Sequence, residues 1–182
     1  MKTPPISRRG LGLGVAAAGL TSATQAGGAS VAPPALIPVF DLTVEVGPAQ
    51  ELGEVGGGRR RVIPITGGRL TGPGLAGEIL PGGADWQTIR PDGVTLLQAR
   101  YTVRMGDGAT IGIINTGVRR ADPDVVRRLT AGEDLDPALY YFRATPVFEV
   151  GAGRHQWLTE SVFVSAGARR PSRVELSVFK VA

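Results

Sequence analysis

The chain has 182 residues, with 20 Lys or Arg against 16 Asp or Glu, a single histidine and no cysteine. The missing cysteines exclude thiol nucleophiles, thiolate metal sites, iron–sulfur clusters and disulfides. One histidine leaves a zinc site to be built mostly from carboxylates, and a serine triad only if His155 is its base.

The first segment reads as an export signal. Lys2, Arg8 and Arg9 precede an apolar stretch rich in Gly and Ala, Leu11 to Leu20, and the paired arginines point to the twin-arginine route. A run of about 10 apolar residues is half of the roughly 20 needed to span a bilayer, so no stable membrane anchor is expected. Small residues place cleavage after Ala26 or Ala29. The division is a signal over 1–29, a Pro-rich linker over 30–37 and a single domain over 38–182, with the product periplasmic or secreted. Export machinery that reads Arg8 and Arg9 is the expected partner; the alternative is an uncleaved disordered tail. Taking Lys2, Arg8 and Arg9 from the 20 bases leaves 17 against 16 acids. A mature chain so near neutrality has no electrostatic footprint for nucleic acid, and none is expected as a partner.

Beyond the linker, Gly and Pro punctuate segments rich in branched and aromatic residues, the pattern of an all-β chain. Strands are expected over 38–46, 59–71, 75–89, 93–105, 109–119, 139–150, 156–166 and 172–181. About eight strands joined by short turns make a closed antiparallel up-and-down β-barrel. The internal glycines Gly67-Gly68, Gly82-Gly83 and Gly117 mark the bulges and bends that closure needs. The run Arg59-Arg60-Arg61 reads as a solvated strand start. Pro91-Asp92-Gly93 and Gly106-Asp107-Gly108 place an acid before a glycine between apolar strands, so Asp92 and Asp107 are turn residues rather than site residues. One short helix interrupts: Asp122 as N-cap, Pro123 at the first helical position, Val125, Val126 and Leu129 on an apolar side, and Gly132 as the stop. It is placed to plug or flank one barrel end. His155, in a Gly-Arg turn, reads as a solvated loop residue.

No phosphate loop, dinucleotide fingerprint, nucleophile elbow or zinc-protease motif is present, and neither metal nor cofactor is expected. Candidate chemistry lies in the alternation of two strands. In 97–105, Leu97, Ala99, Tyr101, Val103 and Met105 oppose Gln98, Arg100, Thr102 and Arg104. In 140–149, Tyr140, Phe142, Ala144 and Phe148 oppose Tyr141, Arg143, Thr145 and Glu149. The plain assignment buries the apolar face and leaves the arginines in water. The sharper one lets Arg100 and Arg143 line a polar pocket at a barrel mouth, where each needs a carboxylate or an anionic ligand. Asp85 differs from Asp92. It follows Gly82-Gly83 inside a strand and precedes Trp86, and no turn requires it, although a bulge aiming it at a backbone N–H is an alternative.

The motifs "RVIPITGGRLTGPGLAGEILPGGADW", "ARYTVRMGDGATIGIINTG" and "YYFRATPVFEV", with "QWL" and "VFV" after them, resemble an uncharacterised bacterial and fungal family, the domain of unknown function number 3237. The resemblance runs over about residues 38 to 181. It implies a closed antiparallel barrel and supplies no activity. Its recurrent polar positions fall on Asp85, Trp86, Arg100, Tyr101, Asp107, Asn115, Tyr141 and Arg143. Many members lack an export signal, which makes the N-terminal segment this chain's own addition.

Three functions remain open. The first is binding of a small organic ligand bearing a carboxylate or carbonyl. Arg100 and Arg143 would hold its oxygens, Trp86, Tyr101 and Trp157 would form walls, Asn115 would give a directional hydrogen bond, and Tyr141 is a further candidate ligand-binding residue. The second is metal-independent acid–base catalysis on the same pocket, with Asp85 as base and an arginine stabilising an oxyanion. The third is a structural or interaction protein of the envelope, which needs no pocket.

Overall fold

Period-two alternation of buried and exposed side chains governs the chain from Leu36 onward, and it builds a barrel. A computed structural model describes residues 31–182. The signal expected over 1–29 lies outside the described residues. In chain order the strands are β1 (Leu36–Val46), β2 (Gln50–Val55), β3 (Gly58–Gly72), β4 (Leu75–Ile79), β5 (Gly83–Ile89), β6 (Thr95–Met105) and β7 (Thr110–Ala121). Helix α1 (Pro123–Thr130) follows, then β8 (Tyr140–Val150), β9 (Phe163–Arg169) and β10 (Arg173–Val181).

All pairings are antiparallel, and β1 closes the barrel by bonding both β10 and β3. Ten segments fill eight positions, because two positions are interrupted. β1 and β2 run in succession along one edge of β3, and β4 and β5 along its other edge. The breaks fall at Gly47-Pro48-Ala49 and Leu80-Pro81-Gly82, where proline removes a ladder donor. The single strand expected over 75–89 is therefore two. β2 was not foreseen, since every residue in it is exposed and it carries no alternation. The first part of the strand expected over 156–166 is a 3-10 turn, Gln156–Thr159. β1 begins inside the expected linker, with Leu36 opposite Val181.

The interior differs at its two ends. One end is packed solid. Phe148 stacks edge-on against Phe40 and Phe163 at 5.8 and 5.0 Å, and Trp157 lies 6.0 Å from Phe163. Asp107 makes its turn as expected, accepting Ala109 N–H at 3.2 Å. Its other oxygen lies 2.9 Å from His155 Nε2. His155 is thus not solvated: at 4% exposure it is held under the closed end by that carboxylate.

At the other end the inward positions turn polar, and α1 lies across them. Pro123 and Gly132 (φ 86°) bound the helix as expected, but the Asp122 side chain caps no amide. Val125 and Leu129 pack onto the core. No helix among the described residues is long and apolar enough to cross a membrane.

Candidate functional site

The open half of the barrel holds two adjoining spaces. A deep chamber of about 40 Å³ is walled by Ile65, Leu97, Phe142 and Leu176, and it receives Asp85, Gln87, Tyr101 and Asn115. Above it, a vestibule of about 450 Å³ is bordered by Arg59, Arg61, Arg119 and Arg169, with Val126 and Leu129 of α1. The two share Val46, Ile63 and Arg169 as walls.

Register explains the polar cluster. Asp85 on β5 pairs with Ala99 on β6, and Ala99 pairs with Asn115 on β7. The three side chains stand in one row on the inner face, with the smallest in the middle. Neighbouring strands are about 4.8 Å apart, so Asp85 and Asn115 rise about 10 Å from one another across the alanine. Tyr101 is the next inward residue of β6. Continuing two by two along β7 from Asn115 passes Gly117 and reaches Arg119; along β9 from Ser165 it passes Gly167 and reaches Arg169. The Tyr140 hydroxyl accepts the Arg169 backbone N–H at 2.8 Å and fixes the mouth end of β9.

Asp85 is anchored on both oxygens. Oδ2 accepts from Gln87 Nε2 at 2.5 Å, and Oδ1 accepts the Gln98 backbone N–H at 3.0 Å. Gln87 Oε1 in turn accepts from Arg61 Nε at 2.8 Å, so a hydrogen-bonded chain runs from vestibule to chamber. Burial raises the Asp85 carboxyl above its ordinary value, against the opposing pull of those hydrogen bonds and of Arg119 and Arg61. Burial, then the nearby Asp85 charge, also pushes the Tyr101 phenol up, keeping it a neutral donor.

Three buried polar atoms here, Tyr101 Oη, Asn115 Oδ1 and Arg169 Nη1, have no hydrogen-bond partner among the described residues. Arg61 and Arg59 share Glu51, at 4.0 and 3.5 Å. Neither Arg119 nor Arg169 has an ion pair among the described residues. Burial, then repulsion from Arg61 and Arg169, lowers Arg119 to about 10. No group of three or more His, Asp or Glu among the described residues is placed to hold a metal ion.

Of the residues singled out in the sequence, the barrel brings together Asp85, Tyr101 and Asn115. It places the others elsewhere. Trp86 is 40% exposed on the outer face. Arg100 pairs outside with Glu149 at 3.1 Å. Arg143 is also exposed, lying 5.4 Å over the exposed Tyr141 ring and bonding Phe142 O. Trp157 belongs to the packed end. The expected arginine pocket of Arg100 and Arg143 is thus corrected, because period two turns both outward whenever Ala99 and Phe142 point in. The arginines at the vestibule are instead Arg59, Arg61, Arg119 and Arg169. Arg61 was hidden in a run read as a solvated strand start. Arg119 and Arg169 sit in strand-terminal pairs, and alternation counted to the strand ends is the signal that finds them.

Residues 34–181 match the model of a family described as protein of unknown function, DUF3237. The chain belongs to this family. Outside the match to the DUF3237 model, a UPF0311 protein of Rhodopseudomonas palustris is 42% identical over 143 residues, 79% of this chain and 94% of that protein. A UPF0311 protein of Clostridium acetobutylicum is 39% identical over 144 residues, 79% of this chain and 91% of that protein. The crystal structure of a conserved protein of unknown function from R. palustris superposes with a TM-score of 0.81 at 39% identity, covering 84% of this chain and 100% of that one. A β-barrel-like protein from Acinetobacter baumannii gives 0.74 at 34% identity, covering 85% and 100%. An enzyme from Penicillium herquei shares the fold at 20% identity, with a TM-score of 0.64 and coverage of 85% and 99%. This DUF3237 chain is therefore a closed antiparallel barrel of a family without an assigned activity.

Proposed function

We propose that the open half of the barrel binds a small organic anion, with its carboxylate among Arg61, Arg119 and Arg169 and its apolar body directed inward. The observation that carries this reading is the pair Arg119 and Arg169. Both are partly buried, both are pushed down by burial, and neither has a carboxylate partner among the described residues. Buried guanidinium groups without counter-ions are unfavourable, and a ligand carboxylate corrects this with charged hydrogen bonds of about 1.5–3 kcal/mol each. The vestibule volume falls within the range typical of small-ligand sites, roughly 300–1,000 Å³. A solid structural barrel gives no reason for Tyr101 and Asn115 to leave polar atoms unpaired inside.

Thermal denaturation of the full chain with small aryl carboxylates and their neutral amides tests the reading. The acids raise the melting temperature and the amides do not. Equal behaviour of acid and amide, or no shift with either at millimolar concentration, overturns it.

Residues 1–29 act in this reading as a twin-arginine export signal, supported by the order of Arg8-Arg9, the apolar stretch and the small residues before Ala26 and Ala29. A reporter fused behind them is exported, and replacing both arginines with lysine retains it in the cytoplasm. Export that survives the replacement contradicts the assignment.

A further inference from the structure

The geometry points to proton transfer at carbon: we infer that Asp85 removes a proton next to a ligand carbonyl while Tyr101 donates a hydrogen bond to the resulting oxyanion. This rests on the anion-binding reading and gives it a reaction.

Size sets the first limit. A buried water needs about 10–15 Å³ of such space, so the 40 Å³ chamber accepts about three heavy atoms. That is the size of an acetyl group: one carbon, a carbonyl carbon and its oxygen. Polarity sets the second. Tyr101 offers an O–H donor with no acceptor among the described residues, which calls for an oxygen acceptor at the chamber end of the ligand. Asp85, held by Gln87 and the Gln98 backbone, faces the same small space from the adjacent strand. Each of its oxygens accepts one hydrogen bond and keeps a lone pair for a proton. Asn115 stands across Ala99, and its unpaired Oδ1 can accept from a ligand hydroxyl.

The step balances without a co-reactant. The C–H bond next to the carbonyl breaks and its proton forms an O–H bond on Asp85. The C–H electron pair becomes a C=C bond, and the C=O π pair moves onto oxygen, where the Tyr101 hydroxyl stabilises the charge without transferring its own proton. Reversal returns a proton to the same carbon, or to the far end of a conjugated system as an isomerisation. Between the two events the Asp85 proton exchanges with water through the vestibule. The raised Asp85 carboxyl is the more effective base for this task.

The ligand 4-acetylbenzoate presents a carboxylate to the arginines and an acetyl group to the chamber. In deuterated buffer the full chain exchanges its methyl protons, read by proton NMR, at a rate that rises with pH to a plateau as Asp85 ionises. Asp85→Asn lowers the enzyme-dependent rate by about 100-fold or more and keeps binding, measured by calorimetry. Tyr101→Phe, which preserves the chamber's shape, lowers it by about 100-fold or more and serves as the control if the first variant does not fold. Binding without exchange, or full exchange by Asp85→Asn, overturns the inference and leaves the binding reading standing. Absence of binding overturns both.

Discussion

Asp85 concentrates the tension of this site in one side chain. Its carboxyl is raised in the folded barrel, so the folded state holds the proton to higher pH than the unfolded chain does. Stability linked to Asp85 is then fully present below the ordinary carboxylate value. It declines as pH rises through the raised folded value, and it stays lower at neutral pH. The melting temperature of Asp85→Asn relative to the parent should therefore climb from pH 4 to pH 8. A difference independent of pH means that Asp85 ionises as freely inside the barrel as outside it. The sequence pointed to this acid because no turn needed it, and it left open a contact with a backbone N–H, which the Gln98 amide makes. That Gln98 is the residue, and that the Gln87 side chain holds the other oxygen, depends on the register of β5 against β6.

Strand β3 shows how an element is bent to serve the site. It bonds β1 along one stretch and β2 along the next, and at its bulge Glu45 pairs with Gly67 while Val46 pairs with Ile65. Gly68 beside the bulge has φ 131°, and a Cβ there would lie 2.0 Å from the Thr43 carbonyl oxygen. Gly68→Ala combines backbone strain with a clash against main chain, a loss of about 3 kcal/mol or more, or roughly 10 °C in melting temperature. Gly82 is the internal comparison. It has φ 107° but open space around it, so Gly82→Ala costs about 1 kcal/mol. Equal losses at the two positions contradict the close approach of β3 to β1. The glycine pairs were legible in the sequence as points of bending. Whether a pair bends a strand or divides it was not, and the neighbouring Pro81 makes the difference: Gly67-Gly68 bends β3, while Pro81-Gly82 separates β4 from β5.

For the whole molecule, alternation and turn chemistry were enough to give the barrel, since each of the eight positions carries a recognisable strand and its turn. The orientation of the arginine faces was harder to read. An arginine in an alternating strand looks the same whether it points to water or to a mouth, and only closure of the barrel separates the two. Closure turns Arg100 and Arg143 outward to Glu149 and Tyr141, and Arg119 and Arg169 inward beneath α1. The result is a molecule with one solid end, held by Phe40, Phe148 and Phe163, and one open end bordered by Arg59, Arg61, Arg119 and Arg169. Calorimetric titration of 4-acetylbenzoate into the full chain and into Arg119→Met and Arg143→Ala tests this most directly. The account predicts that Arg119→Met weakens binding by about tenfold or more, the worth of one buried charged hydrogen bond, while Arg143→Ala binds like the parent. Unchanged affinity in Arg119→Met, or a loss confined to Arg143→Ala, contradicts it.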